Sequence, residues 1–342
     1  MAKSMKPFSS SLLVCPKCSS AVTSASEGMA CRACSWSPEI IDGIVDLRED
    51  KTFDTLLDVN AYDEAHNIQA QTAALANVYE RILREKGCAS VANVFEIGAG
   101  SGNLTHGLLN SPFFCEIHTS DISLNFMKLL KKRVGAHSPD KLSCYLLNAN
   151  NNPFRTASFD LVLGHSILHH LEQFETTLEE SFRVTKPGGF CVFGEPVLDV
   201  HVFSGLIASI ILHMEQARGT LDRPRRMALT ALANRPQIKR DHLESDRTDL
   251  REIEDKFIFP INYMRELSSS IGFKSFDCTS FDSQLSLGEH TLRLIKHVFN
   301  QIKTNADFLS DYAFLFEKLT VNYGEPMKMN DITPFSYFVF SK

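Results

Sequence analysis

The chain has 342 residues, of which 44% are hydrophobic and 22% charged, and its formal net charge is −6. It can therefore bury a full α/β core and a small appendage, while its acidic balance argues against a large nucleic-acid-binding surface. The longest apolar run, residues 200–214, is too short and too interrupted by polar residues to span a membrane, and the reduced-looking cysteines without a cleavable leader predict a cytoplasmic protein.

Two C-x-x-C pairs lie near the amino terminus, Cys15 with Cys18 and Cys31 with Cys34. Each pair places two thiolates within reach of one ion, so together they predict a closed tetrahedral site for structural zinc. A disulfide pairing is the alternative. Residues 38–47 are expected to form the closing strand of this metal-stabilised unit, which resembles a zinc ribbon of the Trm112-like kind.

A glycine-rich turn follows the apolar run 91–95. Glu96 begins the sequence E-x-G-x-G-x-G, whose glycines are Gly98, Gly100 and Gly102, and residues 103–109 are expected to open a helix. Glycine permits positive φ and close approach of a ligand to the backbone, and the free N–H groups of the helix face the same spot. The spacing differs from the G-x-G-x-x-G of dinucleotide folds, so the turn predicts another nucleotide-like cofactor.

Further strands follow in order. Residues 115–121 end in Asp121, about twenty residues past the glycines, where a carboxylate can accept hydrogen bonds from both hydroxyls of a ribose. Residues 143–147 lead to Asn148, whose amide oxygen could bond an adenine. The fourth strand is expected at 159–164 and the fifth at 190–194, after a turn at 184–189.

Across residues 70–200, these motifs together resemble the class I S-adenosylmethionine (SAM)-dependent methyltransferases of the Methyltransferase-11 and UbiE-like kind. The resemblance implies SAM as cofactor and a seven-stranded, Rossmann-like α/β sheet with helical lid insertions. The family usually has Asp where Asn148 stands. Tyr62 is a further candidate because related enzymes pack such a segment over the cofactor. The other implied cofactor-binding residues are Glu96, Gly98, Gly100, Gly102, Asp121, Ile122, Asn148, Ala149 and Gly164.

The carboxyl-terminal third fits the same plan, with a helix at 261–271 ended by Gly272, a sixth strand at 273–279 and a final strand at 335–340. The expected division is a zinc ribbon (1–50), a helical lead-in and cofactor cover (51–90), the SAM-binding core (91–200), a helical lid insertion (201–260) and the end of the sheet (261–342). This last part contains a second helical insertion at about 281–330.

The candidate catalytic residues follow the fourth and fifth strands. Methyl transfer from a sulfonium is an in-line displacement, so the protein must chiefly align the acceptor and exclude water. His165, at the end of the fourth strand, is the best placed general base, with a structural role as the alternative. His169 is a further candidate one helical turn later. Glu195 could orient the substrate, screen the sulfonium, or simply cap the next segment.

The first insertion contains a basic cluster with a single acid, Asp222. It could meet a phosphorylated or carboxylated substrate or an RNA backbone, or it could be a solvated helical face balanced by the acids that follow it. The cluster consists of Arg218, Arg223, Arg225, Arg226, Arg235, Lys239 and Arg240.

The preferred function is methyl transfer from SAM to a small metabolite or natural product, at oxygen in preference to nitrogen or carbon. Residues 164–170 lack the Asn/Asp-Pro-Pro-Tyr/Phe tetrapeptide of nucleic-acid amino methyltransferases and resemble small-molecule methyltransferases. An RNA-modifying enzyme ranks second, because a zinc ribbon ahead of this fold also resembles the ribosomal RNA guanine-N1 methyltransferases. A SAM-binding scaffold without turnover ranks third.

Overall fold

The structure is a computed structural model that describes residues 10–25, 28–51, 59–66, 72–134, 140–250, 252–280, 285–324 and 333–342. The strands are β1 Val22–Ala25, β2 Gly28–Cys31, β3 Glu39–Ile41, β4 Ile44–Asp46, β5 Val91–Ile97, β6 Phe114–Asp121, β7 Leu142–Leu146, β8 Phe159–His165, β9 Thr185–Pro196, β10 Ser275–Thr279 and β11 Phe335–Ser341. The α-helices are α1 Val59–His66, α2 Thr72–Glu85, α3 Asn103–Asn110, α4 Leu124–Val134, α5 Phe174–Val184, α6 Leu198–Arg218, α7 Arg223–Glu244, α8 Ile261–Ile271, α9 Leu287–Gln301 and α10 Ala313–Leu319.

One mixed sheet of nine strands forms the centre of the fold, in the order β10-β11-β9-β8-β5-β6-β7-β4-β3. The strands from β9 to β7 in this order are parallel, and β11 runs antiparallel between β9 and β10. The predicted α/β class is therefore confirmed. The carboxyl ends of β5, β6, β7, β8 and β9 meet at one edge of the sheet, which is the edge where open α/β sheets bind ligands.

The sheet has two more strands than the seven expected, because the amino-terminal unit joins it. In this unit β3 and β4 form a hairpin, and β4 pairs in parallel with β7, so that Val45 lies opposite Tyr145. The N–H of Val14 donates to the carbonyl of Pro153 at 2.8 Å, and Leu13 belongs to the same buried cluster as the sheet residue Phe95. The unit thus shares a hydrophobic core with the rest of the chain.

The core forms because apolar residues occupy both faces of the parallel strands and one face of each covering helix. In β5 and β8, Phe95 and Phe159 stack with ring centroids 5.0 Å apart. In α2, the buried residues Leu75, Tyr79 and Ile82 recur at helical spacing and pack against the opposite side of β5. This packing fixes the strand ends that carry the candidate site residues.

The predicted lid insertion is helical. It consists mainly of α6 and α7, which pack together and share a buried cluster with α9 and α10 of the second insertion. Residues 281–284 and 325–332 of that second insertion lie outside the described residues. In the part of the chain that is described, α6 is the one helix long and apolar enough to cross a membrane, and half of its apolar window is buried inside the protein. Helix α8 ends as expected at Gly272, with φ 105°.

Candidate cofactor and active site

The glycine turn joins β5 to α3. Gly98, Gly100 and Gly102 have φ angles of 68°, 53° and 89°, in the left-handed region that favours glycine. A Cβ atom on Gly98 would lie 2.4 Å from Ile167 Cγ1, and one on Gly102 would lie 2.7 Å from Leu130 Cγ. A Cβ atom on Gly100 would meet nothing within 4 Å. Packing therefore requires two of the glycines, while Gly100 leaves open space in which a ligand can approach the backbone.

Asp121 ends β6 beside this turn. Its Oδ2 accepts a hydrogen bond from the Gly100 N–H at 2.8 Å, and its Oδ1 accepts one from the Ser123 N–H at 2.9 Å. Burial raises the pKa of Asp121, and these backbone hydrogen bonds oppose the shift. The next residue, Ile122, is half-buried, and its carbonyl accepts a hydrogen bond from Arg48 at 2.7 Å. The carboxylate thus lies beside the glycine turn, and its contact with a ribose stays a prediction.

Glu96 lies beneath the turn, buried in β5. Its Oε2 accepts hydrogen bonds from the hydroxyls of Thr105, at 2.6 Å, and Thr119, at 2.9 Å. Burial raises the pKa of Glu96 to about 7. These bonds tie β5 to α3 and β6, so the side chain stabilises the turn from below, and its direct contact with a cofactor stays a prediction.

Three other predicted cofactor residues lie at the ends of β7 and β8. Asn148 is exposed, and its Oδ1 accepts a hydrogen bond from the Asn150 N–H at 3.0 Å. Ala149, which follows it, is half-buried. Gly164 is buried, and a Cβ atom there would lie 2.6 Å from Ile167 Cγ2. Asn148 and Ala149 are therefore available at the rim of the site, whereas Gly164 makes room for packing.

Tyr62 lies in α1, but its side chain is outside the described residues. The adjacent Asp63 forms an ion pair with Arg133, and Arg133 also donates to the carbonyl of Ser101 at 3.1 Å. Helix α1 is therefore held close to the glycine turn, and its role as a cofactor cover stays a prediction. The contact between Tyr62 and the cofactor stays a prediction.

His165 ends β8 and faces aromatic side chains. The Tyr79 hydroxyl donates to the Gly164 carbonyl at 2.7 Å and lies 3.2 Å from His165 Nδ1. Because that hydroxyl has only one proton, its oxygen accepts from Nδ1–H, which leaves the lone pair of the imidazole on Nε2. Burial lowers the pKa of His165 to about 4, so the ring is neutral at pH 7. Gly194 makes room for it, because a Cβ atom there would lie 2.8 Å from Nδ1.

Glu195 and His169 contact each other. Glu195 Oε1 accepts hydrogen bonds from the N–H groups of Ile167 and Leu168, and its Oε2 lies 2.6 Å from His169 Nδ1. Burial opposes protonation of His169, but the charges of Glu195 and Asp255 outweigh it and raise the pKa to about 9. The pair therefore holds the turn after β8, and a direct part in catalysis stays a prediction for both residues.

The four amino-terminal cysteines lie together. The Sγ atom of Cys34 is 3.5 Å from those of Cys15 and Cys18, and the Sγ atom of Cys31 is 3.5 Å from that of Cys18. Zn–S bonds of about 2.3 Å in a tetrahedron place sulfurs ~3.8 Å apart, whereas a disulfide needs about 2.0 Å. The arrangement fits one zinc ion and contains no disulfide.

A second group of ligand-type atoms lies within 4.8 Å of one another, on His169, His170 and Asp255. His169 Nε2 is 3.5 Å from Asp255 Oδ1, while its Nδ1 contacts Glu195. A protonated His169 between two carboxylates accounts for this geometry without a metal ion.

The sequence did not single out Tyr79 or Arg48. Tyr79 reaches His165 across 86 positions of the chain, and Arg48 reaches Ile122 across 74. In the sequence, Tyr79 is one of several apolar residues at helical spacing. Arg48 is a single charged residue that follows a short strand. No local spacing marks such partners, because only the folded sheet brings them together.

Part of the chain matches a known protein family, and parts of it are similar to known proteins. Residues 95–193 match the family described as "Methyltransferase domain". The hybrid PKS-NRPS synthetase poxE of Penicillium oxalicum is 30% identical over 163 residues, which cover 46% of this chain and 4% of that protein. The malonyl-[acyl-carrier protein] O-methyltransferase of Halorhodospira halophila is 30% identical over 154 residues, covering 44% of this chain and 49% of that protein.

Among solved structures, the chain is similar to phosphoethanolamine N-methyltransferase 2 of Haemonchus contortus in complex with SAM. The TM-score is 0.43 and the identity 15%, with 84% of this chain and 60% of that one covered. The family match covers residues 95–193, less than a third of the chain, and supports a class I, SAM-dependent methyltransferase. The chain spans less than half of the length of each of the two curated relatives.

Proposed function

We propose that the protein transfers the methyl group of SAM to a small metabolite or natural product, with oxygen as the acceptor atom. The observation that carries the proposal is the open space at Gly100 with the Asp121 carboxylate fixed 2.8 Å from its N–H, inside the matched methyltransferase domain. A donor held there lies at the carboxyl edge of the sheet. The ends of β8 and β9 then present the acceptor for in-line displacement, and the lid helices exclude water.

His165 is the proposed general base. Its neutral ring has the lone pair on Nε2, which can take the proton of a hydroxyl as the methyl group is transferred. Tyr79 is a positioning residue, because its hydroxyl selects the tautomer and does not itself meet the acceptor. His169 and Glu195 position the turn between β8 and the lid. SAM supplies the electrophilic methyl group, and no metal is needed for the displacement.

The acceptor class has independent support. The name of one relative, an O-methyltransferase, supports an oxygen acceptor, and the name of the other, a hybrid PKS-NRPS synthetase, supports natural-product chemistry. An RNA backbone as partner is less well supported, because several cations of the basic cluster are paired with acids. Arg225 lies 3.4 Å from Glu215, and Arg240 lies 3.9 Å from Glu244.

The four cysteines are proposed to hold one structural zinc ion with no open position. Because Cys15 and Cys31 belong to the cluster that contains Phe95 of the sheet, zinc removal should lower the thermal midpoint of the whole protein. Elemental analysis should give about one zinc per chain, lost in a Cys15→Ser/Cys18→Ser double variant and kept in Cys88→Ser. Zinc retained by the double variant would place the metal elsewhere.

The function is tested by incubating the protein with methyl-labelled SAM and a fractionated extract of its source. The expected result is label in a small-molecule fraction that resists RNase and is absent with a variant unable to bind SAM. Mild base treatment then separates methyl esters from ethers and amines. Label that disappears on RNase treatment would replace the proposal with an RNA-modifying enzyme.

A further inference from the structure

Two half-buried cations of the basic cluster differ from the other five, which are either paired with an acid or exposed. Arg218 and Arg225 pair with Glu215, and Arg240 pairs with Glu244, each within 4.0 Å. In the part of the chain that the structure describes, no carboxylate lies within 4.0 Å of Arg235 or Lys239. Both cations project from α7, one helical turn apart. Among the described residues, Arg223 and Arg226 also have no such partner, but both are exposed to solvent, so Arg235 and Lys239 form the half-buried, uncompensated pair of the cluster.

The uncompensated pair is half-buried between the lid helices. Arg235 lies between Leu232 and Pro236, where α7 touches α6, and a Cβ atom on Gly205 of α6 would lie 2.9 Å from Pro236 Cγ. Burial lowers the pKa of Arg235, and burial together with the charge of Arg235 lowers the pKa of Lys239 to about 8, although the charge of Asp255 opposes both shifts. Half-buried cations without a counter-ion are costly, so such a pair calls for an anion.

A third side chain joins this pair from α6. His201 lies one helical turn before Gly205, is only 5% exposed, and makes no hydrogen bond among the described residues. Burial lowers its pKa to about 3, and the nearby charges of Arg235 and Lys239 act in the same direction. The imidazole ring of His201 is therefore neutral, and its N–H group can donate a hydrogen bond to an anion.

These side chains lie on the acceptor side of the site. Helix α6 begins directly after the end of β9. Lys239 donates to the carbonyls of Asp255 and Lys256, and the N–H of Lys256 donates to the carbonyl of His169, in the turn after β8, at 2.9 Å. The carboxylate of Asp255 is already engaged, 3.5 Å from His169 Nε2. Through residues 255 and 256, Lys239 is thus connected to the turn that follows the strand carrying His165.

We propose that Arg235, Lys239 and His201 form a subsite that binds an oxyanion of the methyl acceptor, a carboxylate or a phosphate. The inference rests on the proposed function and names its substrate class, a small anionic metabolite. Arg235 supplies a planar fork of donors, Lys239 a point charge and His201 a neutral donor. The bound oxyanion provides the counter-charge that the folded lid lacks and fixes the acceptor relative to the donor methyl group.

The test measures binding of two probes, inorganic phosphate and succinate, by calorimetry at constant ionic strength with chloride as reference. The wild-type protein should bind at least one probe, and the preferred probe distinguishes a phosphate from a carboxylate. Arg235→Gln should weaken that binding by about 10- to 100-fold, the loss expected for a charged hydrogen bond. Arg226→Gln, an exposed position on the same helix, should leave it unchanged.

Thermal unfolding in chloride alone gives a second readout. Arg235→Gln should raise the midpoint, because it removes an uncompensated half-buried cation, and added probe should then raise the midpoint of the wild type only. Absence of binding to both probes by the wild type, or equal binding by Arg235→Gln, would overturn the subsite.

SAM binding is measured separately with the same proteins, and Arg235→Gln should bind SAM as the wild type does. SAM binding without probe binding would reject the subsite and leave the proposed function standing. Probe binding without SAM binding would reject the proposed function and retain an oxyanion site in the lid.

Discussion

The proposed donor side and the proposed acceptor side of the candidate site are built in different ways. On the donor side, Gly98, Gly100, Gly102 and Asp121 come from one short stretch of chain, and a single hydrogen bond of 2.8 Å joins the turn to the carboxylate. On the acceptor side, His165 depends on Tyr79, and the lid cations come from a helix far along the chain. A side made of neighbouring residues can be recognised from its sequence, whereas a side assembled from distant elements can be recognised only once folded.

We expect changes on the donor side to abolish SAM binding, and those whose new side chain meets no neighbouring protein atom should also leave the fold intact. Gly100→Leu is the sharpest case, because its side chain enters space where no protein atom lies within 4 Å of the Cβ position. A left-handed non-glycine residue costs only about 1–2 kcal/mol, so the protein should stay folded. Calorimetry with SAM should detect no binding, while circular dichroism remains that of the wild type.

Gly98→Leu is the matched control, because its Cβ atom would lie 2.4 Å from Ile167 Cγ1. This variant should lose thermal stability as well as SAM binding. Normal SAM affinity in Gly100→Leu would show that the cofactor lies elsewhere.

Changes on the acceptor side should lower turnover and spare SAM affinity. His165→Ala removes the proposed base and should reduce the turnover number by about 10²–10⁴-fold. Single-turnover rates with the identified acceptor, together with calorimetry for SAM, measure the two quantities separately. His297→Ala, which changes an exposed histidine of α9, is the control. A loss below tenfold would leave alignment of the acceptor as the main catalytic device.

The smallest expected effect concerns the turn that joins the two sides. The pKa of His169 is about 9 in the folded protein, above the ordinary value of 6.5. The stability that its proton provides is therefore complete below about pH 6.5 and is lost as the pH rises through about 9, with a slope of up to about 1.4 kcal/mol per pH unit. Denaturant unfolding between pH 7 and 10 should show this decline in the wild type. It should be reduced in His169→Gln, and an identical slope in both proteins would refute the assignment.

Features formed by residues close together in the sequence could be predicted, whereas contacts between residues far apart in the sequence could not. The glycine turn and the order of the core strands could be predicted because strand, turn and helix signals are local. The turn expected at 184–189 was wrong in part, because β9 already begins at Thr185 and pairs there with Phe159. The alternative roles of Glu195 could not be resolved, because its contacts with Ile167 and His169 require β8 and β9 to be paired. The basic cluster was visible as composition, but only the packing of α6 on α7 distinguishes the half-buried Arg235 from cations that are exposed or paired with acids.

The β3–β4 hairpin, which joins the amino-terminal unit to the sheet, changes the strand that lies at one edge of the sheet. A strand at the edge of a sheet exposes unpaired N–H and C=O groups and invites pairing with another chain. Here β4 covers β7, and the new edge is the three-residue β3, whose Glu39 is ion-paired with Lys51 at 2.8 Å. A chain that began after residue 51 would expose the edge of β7, and we expect it to self-associate more than the full chain does.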